Sequence, residues 1–313
     1  MMNPLVSIMG IGCWQIGGAH EINGVQNGWQ PISTNDRIKL IERAIELGFT
    51  FFDTASSYGD GESEEILGLG IHNSGSKEKV QICTKISSKQ LDANGGPNWL
   101  SFEKTLQQSI SRLKVEKIDT LLFHNPSKEL ICERYKDLFE LAKLKSLVDS
   151  YGISLHLVDD YRKASEIKFG NKFQWNFSIL EKRALNFFET NKTNKKLTFI
   201  ARSLLYRGLL TDRFLEEGLE VEFNDERSKL PKDLVTWVYK NGIKIQKLAE
   251  ELGLTLSELA ILYGVMNPVT SIGLIGVRTS ENLDSLEKLI GMSNTKIESC
   301  YEVASNYVPS SLD

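Results

Sequence analysis

Phe49-Thr50-Phe51-Phe52-Asp53-Thr54-Ala55-Ser56-Ser57-Tyr58-Gly59-Asp60-Gly61-Glu62-Ser63-Glu64-Glu65-Ile66-Leu67-Gly68 holds one complete unit of the architecture. Phe49–Asp53 is a short run with apolar residues at consecutive positions, which suits a strand covered on both faces. The strand ends in a carboxylate. A polar, glycine-bearing turn carries Tyr58 five residues on, and a short helix is expected over Ser63–Leu69.

Working outward, the same unit recurs. Strands are expected at Val6–Gly12, Phe49–Asp53, Val80–Lys85, Asp119–His124, Ser150–Ser154, Phe173–Asn176, Thr198–Ser203 and Ser271–Gly276. Helical spacing fills the gaps. Thr34–Leu47 repeats Ile38, Ile41, Ala44 and Ile45 and stops at Gly48. Trp99–Leu113 places Leu100, Leu106, Ile110 and Leu113 on one face, and Tyr135–Leu147 does so with Leu138, Leu141 and Leu144. Asp160–Ile167 and Leu180–Thr190 follow. A charged region, Thr211–Lys232, precedes helices at Leu234–Glu251 and Thr255–Val265, and Thr279–Leu289 closes the series with Thr279 or Ser280 as its cap. Eight strand–helix units without a polar linker give an α/β chain, a single (β/α)8 TIM barrel spanning 1–313 as one domain. A helical segment is inserted between strands seven and eight.

Composition agrees with this. The chain has 313 residues, 41% hydrophobic and 25% charged, which is enough to bury a core without disulfides or metals. A formal net charge of −4 does not favour nucleic acid or an anionic membrane surface as partner. Cys13, Cys83, Cys132 and Cys300 form no CxxC pair and do not have zinc or iron–sulfur spacing. Met1–Gly12 has no basic leader, and no run reaches 18 uncharged apolar residues. The expectation is a reduced, cytoplasmic protein acting on a small molecule, with oligomerisation left open.

In a barrel, chemistry gathers where the strands end. Phe51-Phe52-Asp53 ends in a carboxylate, Cys83-Thr84-Lys85 in an amine, and Leu121-Leu122-Phe123-His124 in an imidazole, with Tyr58 close behind the first. Each alone has a plainer reading as a cap, a solvated charge or a structural group. Together they suit proton donation to a carbonyl. A tyrosine titrates near 10 unless helped. An ammonium beside it favours the phenolate, and a carboxylate keeps that ammonium charged. A neutral histidine holds the carbonyl. Ser154 and Gln174 end strands five and six with neutral groups that suit a carboxamide. Ser203 ends strand seven ahead of Leu204, Leu205 and Gly208. Gly276 and Arg278 precede the Thr279 helix, so a glycine, a guanidinium and a helix N-terminus form an anion site. Gly10-x-Gly12 is no dinucleotide fingerprint, and Gly59-x-Gly61 lacks the lysine of a phosphate loop.

The run from Phe51 to Gly68 resembles the signature of the aldo/keto reductase superfamily. So do Thr84-Lys85, the stretch from Ser109-Ile110-Ser111-Arg112-Leu113 through Ile118-Asp119 to His124-Asn125-Pro126, and Phe173-Gln174-Trp175-Asn176-Phe177-Ser178. Arg202-Ser203-Leu204-Leu205-Tyr206-Arg207-Gly208 and Ile275-Gly276-Val277-Arg278 with Glu281-Asn282 resemble its cofactor segments. The resemblance implies reduction of an aldehyde or ketone, such as a sugar or keto-sugar, to an alcohol. NADPH would be the cofactor, with NADH usable. It places a catalytic tetrad on Asp53, Tyr58, Lys85 and His124, with Tyr58 as general acid. Cofactor contacts fall on Ser154, Gln174, Arg202, Ser203, Leu205, Gly208, Gly276, Arg278 and Asn282. A cofactor-binding regulatory subunit and a cofactor-assisted sugar isomerase or lyase are the alternatives.

The chain departs from the family pattern at several points. Leu155 stands where Asn often follows the strand-five Ser. Ser146-Leu147-Val148-Asp149 replaces a common Gly-Lys-x-Arg, Arg202 replaces an aromatic that stacks on nicotinamide, and Asn282 replaces Gln or Arg. The hairpin before strand one is expected to be absent or truncated. A short tail after Leu289 implies an open pocket. Its mouth would be lined by Trp14, Tyr58, Trp99 and the polar Gln15–Ile32 loop, with His20, Glu21, Asn23, Gln26, Asn27, Trp29 and Gln30.

Overall fold

In the computed structural model of the chain, residues 4–22, 25–28, 32–93, 95–183, 185–191, 197–219 and 226–309 are described. Eight parallel strands close into a barrel: β1 (Met9–Gly12), β2 (Phe51–Asp53), β3 (Gln81–Ile86), β4 (Ile118–His124), β5 (Val148–Ser154), β6 (Lys172–Asn176), β7 (Thr198–Arg202) and β8 (Ile272–Gly276). Each strand pairs with its sequence neighbours, and β8 closes the ring on β1 through Gly12 opposite Gly276. The chain therefore folds as a (β/α)8 barrel.

The longer helices are α1 (Thr34–Glu46), α2 (Glu62–Ser74), α3 (Trp99–Leu113), α4 (Glu133–Leu144), α5 (Val158–Glu166), α6 (Leu185–Asn191), α7 (Lys232–Glu251), α8 (Leu256–Met266), α9 (Ser280–Ile290) and α10 (Asn294–Ser305), and a shorter one spans Ser88–Ala93. The expected insertion between β7 and β8 is a short helix, Asp212–Glu217, followed by α7 and α8. Ser33 caps α1 by accepting from the Asp36 N–H, and Thr255 with Glu258 forms a capping box on α8. α10 buries Ile297, Cys300 and Ala304. Among the described residues no helix is long and apolar enough to cross a membrane.

Several local expectations need correction. Val6 and Ser7 are not strand: Pro4–Ser7 is a short helix, and β1 starts only at Met9. That helix buries Leu5 and Val6 ahead of β1. α2 runs beyond Leu69 to Ser74. Its Gly68 and Gly70 allow close packing, since a Cβ there would lie 2.5 Å from the Arg112 carbonyl oxygen and 2.6 Å from Ile41 Cβ. Leu100 and Leu144, expected on core faces, are 78% and 80% exposed. Phe102 and Ala142 turn inward instead.

Strand periodicity positions the site. Phe51, Cys83, Leu122, Ile200 and Leu274 form one small apolar cluster separate from the main core. Residues two apart on a strand share a face. The next layer on that face is Asp53, Lys85, His124, Arg202 and Gly276, one from the end of each of five strands. The opposite faces supply Phe52, Ile82, Leu121, Phe123 and Ile275 to the main core.

Candidate active site

Lys85 is fully buried and its three N–H donors meet three acceptors. Nζ lies 2.7 Å from Asp53 Oδ2, 2.6 Å from the Thr54 carbonyl oxygen and 3.2 Å from Tyr58 Oη. Burial is the largest single influence and works against the ammonium, but Asp53, Tyr58 and Cys83 together outweigh it, so the lysine is held above its ordinary value.

Tyr58 follows β2 in a tight turn. Gly59 adopts φ +60°, and a Cβ there would sit 2.0 Å from the Gly17 carbonyl oxygen, so the turn after Cys13 and the Tyr58 turn touch through backbone alone. The Tyr58 ring meets the His124 ring edge-on at 5.7 Å and Trp14 at 6.4 Å. The expectation that Lys85 lowers the phenol's pKa is only part of the balance. Burial raises it more than Lys85 and Arg202 lower it, so Tyr58 stays above the ordinary tyrosine value. His124 is held well below the usual imidazole range by burial, with Lys85, Arg202 and His156 adding. Ser57 Oγ lies 3.3 Å from His124 Nδ1. A Ser57 hydroxyl donating there would leave the ring proton on Nε2.

Strand register brings the neutral groups alongside, with His124 opposite Ser154 and Ser154 opposite Gln174. Ser154 Oγ donates to Gln174 Oε1 at 3.0 Å, and Gln174 Nε2 donates to Asp53 Oδ1 at 2.7 Å. Both ends of the expected carboxamide seat thus have protein partners.

Arg202 reaches from β7 across the ends of three other strands. It donates to Asn176 Oδ1 at 2.5 Å, to the Leu155 carbonyl at 3.2 Å, to His156 Nδ1 at 3.3 Å and, at 3.5 Å, to Asn125 Oδ1. Asn125, His156 and Asn176 were missed as site residues. Asn125 takes φ +46°, which asparagine tolerates better than most residues, and it follows His124 directly.

The loop after β7 holds Ser203, Tyr206, Arg207 and Gly208 at positive φ, and Ser203 Oγ donates to Asn176 Oδ1. Leu205 packs against the main core. Gly276 lies against the Gln15 amide: a Cβ there would meet Nε2 at 2.4 Å. Asn282 accepts from the backbone N–H groups of Arg278 and Thr279, at 3.0 and 3.1 Å. Trp99, expected at the mouth, stacks on Phe102 and has the Lys145 ammonium over its ring. Residues 20–22 and 25–27 form a small hairpin. The side chains expected there and at Asn23, Trp29 and Gln30 lie outside the described residues.

Residues 8–303 match the family model described as "Aldo/keto reductase family". The aldo-keto reductase YhdN of Bacillus subtilis is 26% identical over 300 residues, covering 91% of this chain and 85% of its own. The aldo-keto reductase yakc of Schizosaccharomyces pombe, whose name carries NADP(+), is 24% identical over 274 residues, covering 83% and 77%. The glycerol dehydrogenase AKR11B4 of Gluconobacter oxydans superposes with a TM-score of 0.74 at 19% identity, over 97% of this chain and 93% of that one. With the fold, the layer of polar strand ends and a match over nearly its whole length, the chain belongs to the aldo/keto reductase family.

Proposed function

We propose that the chain is an NADPH-dependent reductase of aldehydes or ketones, with Tyr58 as the proton donor. The observation that carries this reading is the buried lysine held by Asp53 Oδ2 and the Thr54 carbonyl, with its third donor on Tyr58 Oη. A fixed ammonium on a phenol stabilises the phenolate left after proton transfer.

The residues fit a dinucleotide. The loop after β7 turns through four positive-φ residues, and the strand ends carry neutral hydroxyl and amide groups. Ser154 and Gln174 would hold the nicotinamide end, Ser203, Leu205 and Gly208 the pyrophosphate, and Gly276, Arg278 and Asn282 the adenosine end. A reduced nicotinamide, when bound, supplies a hydride to a carbonyl carbon. Tyr58 gives its proton to the carbonyl oxygen. Lys85 orients the phenol and Asp53 keeps Lys85 charged. His124, neutral, donates from Nε2 and fixes the carbonyl. NADP(+) in the name of yakc supports the choice of phosphate-bearing cofactor. A sugar or keto-sugar is the substrate class proposed from the polar loop at residues 15–32.

The test is Tyr58→Phe. NADPH oxidation with an aldehyde panel should fall by about 10²–10⁴, while the NADPH dissociation constant stays within about twofold of the wild-type value. Undiminished turnover would show that Tyr58 is not the acid.

A further inference from the structure

We propose that Glu64 is a positioning residue for the proton donor: its two carboxylate oxygens hold the segment that carries Lys85 and the turn that carries Tyr58, and so fix the contact between them. This rests on the reductase reading above and adds a residue to its machinery.

Glu64 lies in the first turn of α2 and is fully buried. Its Oε1 accepts from the Thr84 hydroxyl at 2.6 Å, and Thr84 directly precedes Lys85 on β3. Its Oε2 accepts from Arg112 Nη1 of α3 at 3.3 Å. The Arg112 guanidinium in turn lies against Gly61, where a Cβ would sit 2.4 Å from Arg112 Cζ. Gly61 ends the turn that starts at Tyr58. One carboxylate therefore joins the two elements whose side chains meet at Lys85 Nζ and Tyr58 Oη. Asp53 and the Thr54 carbonyl tie the ammonium to the end of β2, at 2.7 and 2.6 Å, but the contact with Tyr58 is the longest of the three at 3.2 Å.

The preceding residue serves the same corner. Ser63 Oγ accepts from Thr54 Oγ1 at 2.8 Å and donates to the Cys13 carbonyl at 2.7 Å, and the Thr54 carbonyl is one of the acceptors of Lys85. A buried ion pair is a poor source of stability, because apolar groups of equal volume do as well. What this one supplies is two acceptors at fixed places. Burial pushes the Glu64 carboxyl up, with Thr84 and Arg112 among the groups that pull it back, so the carboxylate depends on the partners it holds.

An ammonium beside a phenol favours the phenolate, and the effect weakens as the two separate. The charged groups that act on the Tyr58 phenol are Lys85, Asp53 and Arg202, and neutral His124 packs against its ring. Loosening the Glu64 link lets Lys85 draw away from Oη, so half-ionisation of Tyr58 moves to higher pH. Removing the Glu64 charge with nothing displaced would have the opposite sign, since one fewer negative charge nearby stabilises the phenolate.

The experiment uses Glu64→Gln, Thr84→Val, which keeps the shape without the hydroxyl, and Thr84→Ser, which restores the hydroxyl. In Glu64→Gln and Thr84→Val, kcat for NADPH-dependent aldehyde reduction should fall about tenfold or more while the NADPH dissociation constant stays within about twofold of wild type, and Thr84→Ser should recover most of the rate. Tyrosinate absorbance, taken as the difference between each protein and the same protein carrying Tyr58→Phe, should reach its midpoint at least about half a pH unit higher in the first two variants than in wild type. Thr84→Val carries the test alone if Glu64→Gln does not fold. If wild type reduces no aldehyde, the reductase reading fails and the absorbance midpoints still decide the positioning role. Two results overturn the proposal. One is a lower thermal midpoint in both variants with kcat and the Tyr58 midpoint unchanged, the mark of a purely structural tie. The other is a Tyr58 midpoint that moves down in Glu64→Gln, the mark of a charge effect alone.

Discussion

Gln174 and Lys85 share the Asp53 carboxylate, Gln174 donating to Oδ1 and Lys85 to Oδ2, each at 2.7 Å. Gln174 is fully buried, so water has no easy route to replace it. Gln174→Leu leaves one carboxylate oxygen short of a donor in a site sealed from solvent. The expected cost is about 1–3 kcal/mol of stability, read as a lower denaturant midpoint at unchanged slope. Reduction should slow as well, because Asp53 is then free to shift and carry Lys85 away from Tyr58. An unaltered midpoint would show that the Asp53 oxygen finds another partner.

The pH dependence follows from two shifts of opposite sign. Burial holds Tyr58 above the usual tyrosine value, so the proton-donating phenol persists through neutral and mildly alkaline pH. Burial and the nearby cations hold His124 well below the usual imidazole range, so it is neutral down to acid pH. Reduction should therefore show a flat kcat/KM from about pH 6 to about pH 9. Alcohol oxidation needs the phenolate and should rise towards the alkaline end. An inflection near pH 6.5 that disappears in His124→Gln would show that His124 titrates in the working range.

Gly59 and Gly75 separate strain from collision. Both have positive φ, +60° and +62°, but a Cβ on Gly59 would lie 2.0 Å from the Gly17 carbonyl oxygen, whereas one on Gly75 would have nothing within 4 Å. Gly75→Ala should cost about 1 kcal/mol of stability and leave turnover unchanged. Gly59→Ala should cost more and also displace Tyr58, lowering kcat about tenfold or more while NADPH affinity is retained. Measuring thermal midpoints and kcat for both variants checks this. Equal kcat in the two would mean that the Gly17–Gly59 contact does not set the position of Tyr58.

The period-two pattern makes much of the site legible in the sequence. Phe51 with Asp53, Cys83 with Lys85 and Leu122 with His124 can be read as pairs on one face of three strands. Ile200 with Arg202 is the same pair on a fourth, although the resemblance offers Arg202 only as a cofactor contact and a departure from the family pattern. Asn125, His156 and Asn176 could not be found this way, because what joins them is one side chain crossing from β7 to three other strand ends. Val6–Ser7 misled because a short apolar run looks the same in a strand and in a buried turn of helix. α2 runs on past the expected Leu69, and its Gly68 and Gly70 admit α3 and α1 at close range.

At the nucleotide end, Asn282 bears on cofactor choice. Its side-chain oxygen accepts from the backbone N–H groups of both Arg278 and Thr279, so the start of α9 is already capped and two of its donors are used. That leaves the half-buried Arg278 side chain as the charged reader of a 2′-phosphate. Glu281 beside it stays ionised, its carboxyl held low by the Thr279 hydroxyl. Asp284, also on α9, is paired with Arg43 at 2.5 Å. NADPH should be preferred over NADH, with NADH usable. A hydrogen bond to a charged group contributes about 1.5–3 kcal/mol, so Arg278→Ala should weaken NADPH binding by about ten- to a hundredfold and barely affect NADH. Fluorescence titration of each cofactor against both proteins checks this. If wild type binds NADH at least as tightly as NADPH, or the variant weakens both alike, Arg278 does not read the 2′-phosphate.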